Sequence, residues 1–433
     1  MLLVYTQKIT PRITYTFKHV CTRILGIKVG FTSVIEEFIA HSGAKLSYGK
    51  QPMGNELFIQ SHGLLSQQGF ESFDVLVKPW GETKCFFSVG EKSAVPFDIF
   101  SAAFYLLSRY EEYLPHVKDA LGRYPVSESI GHKEDFLTQP VVDLWAYNFK
   151  YILSESFPQL DFPKQKMSVH NVLETRVPFV YKHRGVFRSM IGYMRDFGKF
   201  RIRNMFRRSK VLLTLRKDPY NTFEWIIDVV KKSSTKLSVF FMLGEAVSFE
   251  DNVNTQRNKF KLLVKYVSDY REIGLVFSYP ARTHYEQLKK EKGRMEEITN
   301  RGLLSTMNAQ YSVNLPHIYR NLVELEIERD FTMVYENTLG FRAGTCTPFL
   351  FYDLDYEIKT PLIIHPMAGT TAAFDAQKAS EIEAEIENLL SAVQQVHGMF
   401  SLAFSNTDFA ERTPNNELLK RIFSKKLQSY EAS

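Results

Sequence analysis

The feature that most constrains the fold is an alternation of short apolar strands and amphipathic helices after about residue 163. The apolar runs Lys236–Leu243 and Gly274–Ser278 alternate with the helical patterns Asn258–Arg271 and His284–Ile298. Short buried strands separated by helices are typical of a parallel sheet or of an incomplete (β/α) barrel. In such folds, functional residues lie at the carboxyl ends of the strands. The other predicted elements of this part are the strands Met167–Leu173, Thr332–Tyr335, Leu339–Arg342, Pro361–His365 and Met399–Phe404 and the helices Thr222–Lys232, Leu315–Arg329 and Ala376–Val396.

Two Phe-Pro breaks lie within residues 157–163, just before this alternation begins. A chain of 433 residues is longer than one hydrophobic core usually supports. We therefore predict two domains, residues 1–163 and residues 164–433. The first mixes both element types and is predicted to be a smaller α/β domain. Its predicted strands are Leu2–Tyr5, Ile27–Phe31, Glu56–Gln60 and Phe73–Val77, and its predicted helices are Pro11–Leu25, Phe97–Tyr113 and Val141–Ser156.

The positive charge of the chain is concentrated in one segment, residues 182–217. This segment holds twelve lysines and arginines and a single acid, Asp196, whereas the whole chain has 54 lysines and arginines against 48 acids. The rest of the chain is therefore slightly acidic. Met190, Ile191 and Met194 follow helical spacing inside the segment, which predicts a basic amphipathic helical insert in the second domain.

Three interpretations of the basic insert are open. It can lie on an anionic membrane surface, it can be a solvated helix whose apolar side packs on its own domain, or it can bind another acidic partner. Nucleic acid is not expected, because no nucleic-acid-binding fold signature accompanies the charge. The residues predicted to contact an anionic surface are Arg188, Arg195, Lys199, Arg201, Arg203, Arg207, Arg208 and Lys210.

The cysteine content and the length of the apolar runs indicate the cellular compartment of the protein. Cys21, Cys85 and Cys346 are odd in number and widely spaced, so a disulfide framework is not expected. The first residues lack the apolar run and cleavage site of a signal peptide, and no apolar run reaches membrane-spanning length. We expect a cytoplasmic protein, peripheral on the inner face of the membrane if the basic insert binds lipid.

Common catalytic and metal-binding motifs are absent from the sequence. It contains no phosphate-binding glycine loop, no HExxH, no GxSxG and no CxxC, and its eleven histidines form no HxxxH or HxH pair. The ligand spacing therefore identifies no metal site. Cys346 lies in a small-residue loop, where it is either a nucleophilic thiol or, the interpretation we favour, a small buried residue.

The most distinctive run is LGFRAGTCTPFLFYDLDYE, residues 339–357. The predicted strand Leu339–Arg342 would present Arg342 at its carboxyl end, ahead of a loop of small residues. An arginine in that position can hold a carboxylate through two parallel hydrogen bonds, whether the carboxylate belongs to a substrate or to a catalytic group. Alternatively, Arg342 ties the loop to Asp353 or Asp355.

This run, together with LPHIYRNLVELEIERDFTMVY (315–335) and TPLIIHP (360–366), resembles a bacterial branch of the polysaccharide deacetylase family with the NodB-homology fold. The upstream runs at 100–115 and 139–153 are similar to the extra N-terminal domain of that branch. The resemblance implies an irregular (β/α) barrel of the polysaccharide deacetylase type. It also implies removal of acetyl groups from sugars with the help of a divalent metal such as zinc.

The resemblance assigns roles to residues, and several of these roles do not match. In the family a catalytic Asp acts as the base, a second Asp and two His hold the metal, a late His is the acid, and an Arg orients the base. Glu174 stands at the base position, Arg342 matches the orienting Arg, and His365 matches a His-Pro pair of the branch. The substituted positions are Arg176, Val276 and Pro280 in place of metal ligands and Ser405 in place of the acid.

These substitutions favour a degenerate family member that binds a glycan or a partner enzyme and has lost metal-dependent deacetylation. No metal cofactor is then expected, because an arginine cannot ligate a cation. The first alternative is an active carbohydrate hydrolase, acting on C–N or ester bonds, with a rearranged site around Glu174, Arg342 and His365. The second alternative is a membrane-surface scaffold that acts through the basic insert.

Overall fold

The computed structural model describes residues 1–182, 186–233, 235–244, 255–410 and 413–430, without the side chains of 186–188. The strands of the described residues are β1 (Leu2–Tyr5), β2 (Val29–Thr32), β3 (Lys45–Gly49), β4 (Leu57–Gln60), β5 (Lys78–Trp80), β6 (Thr83–Cys85), β7 (Ser168–Thr175), β8 (Lys236–Met242), β9 (Glu272–Phe277), β10 (Ser305–Asn308), β11 (Arg329–Asp330), β12 (Phe349–Asp353), β13 (Ile358–Ile364), β14 (Gly369–Thr370) and β15 (Met399–Ser405). The α-helices are α1 (Pro11–Phe17), α2 (Ile35–Ala40), α3 (Ile99–Leu107), α4 (Tyr110–Tyr113), α5 (Ile130–Lys133), α6 (Val141–Ser156), α7 (Val186–Gly198), α8 (Ile202–Leu212), α9 (Phe223–Lys231), α10 (Asn258–Ser268), α11 (Tyr285–Thr299), α12 (His317–Glu324), α13 (Ala379–Gln395), α14 (Pro414–Arg421) and α15 (Leu427–Ser429).

The chain forms two compact units, each built from more than one segment. Unit 1 comprises Met1–Ser168, Tyr311–Thr370 and Glu385–Ser401. Unit 2 comprises Val169–Gln310, Thr371–Ala384 and Leu402–Ser433. The predicted division into residues 1–163 and 164–433 stays a prediction.

Unit 1 contains a four-stranded parallel sheet in the order β2-β1-β3-β4. Its central strands are apolar, and Leu2, Val4 and Leu46 are fully buried. Against them pack aromatic side chains of the helices, with the Phe17 and Phe100 rings stacked at 3.6 Å between centroids. Such rings bury large apolar areas, which stabilises the layer of helices on the sheet. In the same unit, β13 pairs in parallel with β11 and antiparallel with β12.

Unit 2 contains the parallel strand order β7-β8-β9-β10. The helices α9, α10 and α11 lie between these strands in the sequence, so the predicted strand–helix alternation is confirmed. Five of the six β9 positions from Ile273 to Phe277 are apolar or glycine, as expected for a strand buried on both faces. The structure is therefore a mixed α/β fold with parallel sheets. Among the described residues, no helix has the length and apolar character needed to cross a membrane.

Two of the predicted helices are interrupted. The predicted helix over Pro11–Leu25 is an α-helix only to Phe17 and continues as a π-helix over Lys18–Ile24. The predicted helix over Phe97–Tyr113 breaks into α3 and α4 at Arg109, whose φ of 55° is left-handed. A left-handed residue other than glycine is strained and persists only where its surroundings hold it.

Three predicted strands are not strands in the structure. Phe73–Val77 is irregular and is followed by β5, Thr332–Tyr335 is a loop after β11, and Leu339–Arg342 is also a loop. The last has a clear physical reason, because Gly340 has a φ of 132° and a Cβ there would meet the backbone oxygen of Leu137 at 2.5 Å. The chain turns at this glycine and does not extend.

Candidate functional site

Glu174 lies near the carboxyl end of β7 and is almost fully buried. The Arg176 guanidinium donates from Nε to Glu174 Oε1 at 2.5 Å and from Nη2 to Oε2 at 3.2 Å. Arg176 therefore neutralises the carboxylate two residues before it. Arg176 carries a permanent positive charge, and it occupies a position at which the family resemblance implies a metal ligand.

The other substituted positions also lack the expected ligand chemistry. Val276 is fully buried inside β9, and Pro280 begins the 3-10 turn Pro280–Thr283. Neither side chain has an atom that can bind a cation. Within the described ranges, the structure brings together no group of three or more His, Cys, Asp or Glu side chains that could hold a metal. These residues are therefore not suited to hold the divalent metal that the family resemblance implies.

Ser405 ends β15 and caps the turn that follows, together with Asp408. The Ser405 hydroxyl accepts from the backbone N–H of Thr407 at 3.3 Å, and the Asp408 carboxylate accepts from the backbone N–H of Ser405 at 2.7 Å. Ser405 therefore has a structural role that accounts for its identity. The pattern Ser-x-x-Asp is the sequence signature of such a capping box, so Asp408 could have been identified from the sequence.

Asp408 is a partly buried titratable residue of unit 2 that was not among the predicted site residues. Its carboxylate also accepts a hydrogen bond from the Thr371 hydroxyl at 2.7 Å. Loss of solvent raises the pKa of Asp408 to about 6, and the negative charges of Asp375 and Glu174 add to the effect. A carboxyl group with such a pKa is partly protonated just below neutral pH, which is a property of general acids.

Arg342 lies in unit 1, where its guanidinium is buried against a carboxylate. Its Nε and Nη2 donate to Oε1 and Oε2 of Glu112 at 3.0 and 2.8 Å. Arg109 donates to Glu112 at 2.8 Å and to Glu111 at 2.7 Å, and it also donates to the Arg342 carbonyl oxygen. Burial by itself would raise the pKa of Glu112, but the charges of Arg342 and Arg109 outweigh burial and hold this pKa below its ordinary value.

Glu112, on α4, is thus the carboxylate that Arg342 holds, and neither Asp353 nor Asp355 is. Those two aspartates pair instead with Arg320, at 2.5 and 2.8 Å. Since Arg109 binds the Arg342 backbone, its left-handed conformation is stabilised by the same network that fixes the loop. The four charges of Arg109, Arg342, Glu111 and Glu112 balance one another, which makes their burial possible.

A pocket in unit 1 adjoins this network, and we call it the tyrosine pocket. It has a volume of about 180 Å³. Three tyrosine rings line it, together with Arg342, the ion pair of Arg123 with Glu336 at 2.7 Å, and the carboxylate of Asp119. The buried hydroxyl of Tyr335 has no hydrogen-bond partner among the described residues. The residues lining the tyrosine pocket are Asp119, Arg123, Tyr124, Pro125, Val126, Tyr311, Val334, Tyr335, Glu336, Asn337, Thr338 and Arg342.

His365 and Cys346 also lie in unit 1. The His365 ring stacks on Phe331 at 4.4 Å between centroids, and its backbone N–H donates to the Asp330 carbonyl oxygen at 2.8 Å. Burial raises the pKa of the Cys346 thiol well above its ordinary value, so this thiol stays protonated and unreactive. Glu174 belongs to unit 2, whereas Arg342 and His365 belong to unit 1. The rearranged hydrolytic site around these three residues stays a prediction.

The basic insert forms two helices, α7 and α8, in unit 2, and we call these helices and the residues 199–201 between them the basic hairpin. Residues 183–185 and the side chain of Arg188 lie outside the described residues. Arg208 is buried, donates to Asp196 at 2.9 Å and lies over the Tyr181 ring at 4.8 Å. Arg208 therefore holds the two helices together, and the prediction that it contacts an anionic surface is wrong because its side chain is buried.

Apolar side chains of the basic hairpin are exposed to solvent, contrary to the interpretation in which they pack on their own domain. Met194, Phe197 and Phe206 are 66–70% exposed, and Phe200 is 86% exposed. The exposed basic residues are Arg195, Lys199, Arg201, Arg203 and Lys210, and Arg207 is half-buried. Exposed aromatic and basic side chains on one element are typical of surfaces that interact with another molecule.

Part of the chain matches a protein family that has no assigned role. A family of unknown function, DUF7033, matches residues 2–158. No curated protein matches the chain.

Several solved structures resemble part of the chain at low similarity. A Mycobacterium smegmatis protein assigned to the polysaccharide deacetylases by name has a TM-score of 0.38 at 10% identity, over 63% of this chain and 92% of its own. A CE4 family pseudoenzyme from Bacillus anthracis, BA3943, has a TM-score of 0.30 at 10% identity, over 61% of each chain. A 4-alpha-glucanotransferase from Thermococcus litoralis has a TM-score of 0.36 at 12% identity, over 62% of this chain and 38% of its own. Similarity at this level establishes neither the activity nor the closed barrel for this chain.

Proposed function

We propose that this protein binds a carbohydrate in the tyrosine pocket and does not carry out metal-dependent deacetylation. The observation that carries the proposal is the composition of that pocket. Three tyrosines, Tyr124, Tyr311 and Tyr335, line it beside charged and amide groups. Aromatic rings offer flat apolar faces with a polar tip, and a few placed polar groups fix the orientation of a ligand.

The polar groups of the tyrosine pocket suit hydroxyl-rich ligands. Asp119 and Glu336 accept hydrogen bonds, and Arg123 and Asn337 donate them, so both kinds of sugar hydroxyl contact are available. The unsatisfied Tyr335 hydroxyl costs about 1–3 kcal/mol while buried, and a ligand hydroxyl would remove that cost. The volume of about 180 Å³ is below the ~300–1,000 Å³ of sites for drug-sized ligands. The pocket therefore fits a single sugar ring of a longer glycan.

Arg176 opposes metal-dependent deacetylation. Its guanidinium is bound to Glu174. The deacetylase chemistry needs a metal ligand at the position of Arg176, and a guanidinium cannot bind a metal cation. A water molecule next to such a pair does not experience the pKa lowering that a bound divalent metal provides.

The carbohydrate proposal can be tested by ligand-observed NMR with N-acetylglucosamine and its tetramer. Tyr335→Phe keeps the ring and removes the hydroxyl, and we expect a roughly fivefold to twentyfold weaker affinity, equivalent to the loss of about one hydrogen bond. Tyr151→Phe is the matched control, because Tyr151 is 65% exposed and does not line the pocket. Equal binding by the wild type and Tyr335→Phe, or no binding by the wild type, would contradict the proposal.

The raised pKa of Asp408 favours a second candidate function, hydrolysis by a pair of carboxyl groups without a metal. Asp408 would act as the acid, and Glu174 would act as the base once substrate displaced Arg176. Acetate release from acetylated sugar oligomers distinguishes this function from simple binding. Activity in the wild type that is lost in both Asp408→Asn and Glu174→Gln, but kept in Asp375→Asn, would establish hydrolysis.

The exposed apolar groups of the basic hairpin favour an additional role in docking to an anionic membrane. Five exposed basic residues would together contribute on the order of 5 kcal/mol at low ionic strength. The exposed Phe197 and Phe200 would enter the headgroup region. In a liposome sedimentation experiment, we expect binding to vesicles with anionic lipid and loss of binding in Phe197→Ser/Phe200→Ser. Phe70→Ser, a change at another exposed phenylalanine, should leave binding unchanged. No sedimentation of the wild type at low salt would refute docking.

A further inference from the structure

A second and larger pocket in unit 1 has a different chemistry, and we call it the basic pocket. Its volume is about 510 Å³, within the ~300–1,000 Å³ that is common for small-molecule sites. The π-helical segment Lys18–Ile24 lines one side of it, and residues of β2, β12 and β13 line another. Its lining residues are Met1, Pro11, Thr14, Tyr15, Lys18, His19, Thr22, Arg23, Lys28, Val29, Leu350 and Lys359.

Four cationic side chains surround the basic pocket, and no acid lines it. Lys18, Arg23, Lys28 and Lys359 are all exposed. None of the four has an acidic partner within the described part of the chain. Cations that converge on a concave surface without counter-charges produce a strong positive potential. The pocket is therefore electrostatically suited to an anion with more than one negative charge.

His19 provides an independent indication of a ligand. Its side chain is 2% exposed, and neither ring nitrogen has a hydrogen-bond partner among the described residues. Burial, with a smaller effect of the Arg23 charge, lowers the pKa of His19 to about 3. At neutral pH the imidazole is therefore neutral, with one N–H donor and one acceptor nitrogen. A buried polar group without a partner is costly, and it indicates a position for a bound molecule.

The rest of the wall is apolar and held in place. The Tyr15 hydroxyl donates to the Leu350 carbonyl oxygen at 2.7 Å, which fixes the ring against β12. Pro11 and Val29 complete this side of the pocket. An apolar wall beside cations fits a ligand with an organic body and an anionic group, since a bare inorganic ion makes no use of the apolar wall.

We propose that the basic pocket binds a diphosphate carried on an organic body, with Lys18, Arg23, Lys28 and Lys359 contacting the phosphates and His19 hydrogen-bonding to the organic part. A soluble nucleoside diphosphate and a lipid headgroup share this chemistry. The site is separate from the tyrosine pocket and from the basic hairpin, so the proposal stands or fails independently of carbohydrate binding and membrane docking.

Calorimetric titration of the full chain with uridine diphosphate, adenosine diphosphate and inorganic pyrophosphate tests the proposal. We expect a nucleoside diphosphate to bind more tightly than pyrophosphate, and added salt to weaken binding. Arg23→Gln/Lys28→Gln should reduce the affinity at least tenfold. Lys78→Gln/Lys92→Gln removes the same charge from exposed positions outside the pocket and should leave the affinity within about twofold.

His19→Phe separates the two parts of the ligand. Phenylalanine preserves the edge-on contact with Phe349, whose ring centroid lies 6.3 Å away, but it removes both ring nitrogens. This variant should weaken nucleoside diphosphate binding and leave pyrophosphate binding unchanged. A second outcome is that the protein binds none of the soluble probes but binds vesicles that contain phosphatidylinositol phosphates. If Arg23→Gln/Lys28→Gln abolishes that binding, the phosphorylated ligand is a lipid headgroup. No binding of any probe by the wild type, or equal weakening in the two double variants, would overturn the proposal.

Discussion

At the scale of single residues, the buried arginines of this protein are paired with carboxylates. Arg342 and Arg109 are buried with Glu112 between them, and Arg176 is bound to Glu174. The sequence indicated Arg342 as a residue that holds a carboxylate, but it could not identify the partner. Glu112 is 230 positions away in the chain, and only the tertiary fold brings the two together. Asp408 could have been identified from the sequence, because Ser405 and Asp408 have the spacing of a capping box.

Glu112→Gln is expected to destabilise the protein by about 3–5 kcal/mol, because it leaves two buried guanidinium groups with a single carboxylate. Urea unfolding measures this change. Glu383→Gln breaks an exposed pair with Arg421 and should cost no more than about 1 kcal/mol. A Glu112→Gln variant as stable as the wild type would show that the buried network does not stabilise the fold.

His19 is expected to make stability depend on pH. Its pKa of about 3 in the folded protein lies below the ordinary 6.5, so the unfolded chain takes up the proton first. Stability from this residue is complete above pH 6.5 and is lost as the pH falls toward 3, by about 1.4 kcal/mol per pH unit. When the pH is lowered from 7 to 5, the free energy of unfolding should therefore fall by about 2 kcal/mol less in His19→Phe than in the wild type. Urea unfolding measures this difference. Parallel losses in the two proteins would contradict this account.

At the scale of elements, the strand–helix alternation of unit 2 was predictable, since buried parallel strands appear as continuous apolar runs. The loop that carries Arg342 was not, because its apolar residues resemble a strand while Gly340 turns the chain. The loop is instead held by Asp143 of α6, whose carboxylate accepts from the hydroxyls of Thr345 and Thr347 at 2.6 and 2.5 Å. Contacts of this kind depend on tertiary structure and leave no local pattern in the sequence.

The basic hairpin offers a matched pair of glycine substitutions on α7. A Cβ on Gly192 would lie 2.3 Å from Arg208 Nη1, whereas a Cβ on Gly198 would meet nothing within 4 Å. Gly198→Ala should stabilise the hairpin by up to about 1 kcal/mol. Gly192→Ala should displace Arg208 from Asp196 and lower the protection of hairpin amides in hydrogen exchange. Higher protection in Gly192→Ala than in the wild type would show that Arg208 does not hold the hairpin.

At the scale of the whole molecule, the chain combines two pockets of unit 1 with an exposed basic hairpin in unit 2. The tyrosine pocket offers aromatic and hydroxyl-binding groups, and the basic pocket offers unpaired cations. Among the described residues, neither pocket gathers three His, Cys, Asp or Glu side chains that could hold a metal. Arg176 occupies a position at which the family resemblance implies a metal ligand. These features support the proposal that the protein recognises a glycan and does not deacetylate it.

The measurement that tests this claim most directly combines binding and turnover on one sample. Protein treated with EDTA is titrated with the N-acetylglucosamine tetramer, and acetate is then measured before and after addition of zinc or cobalt. The account predicts that binding survives EDTA and that no acetate is released with either metal, because Arg176 neutralises Glu174. Stoichiometric metal uptake, with acetate release that Glu174→Gln abolishes, would contradict it.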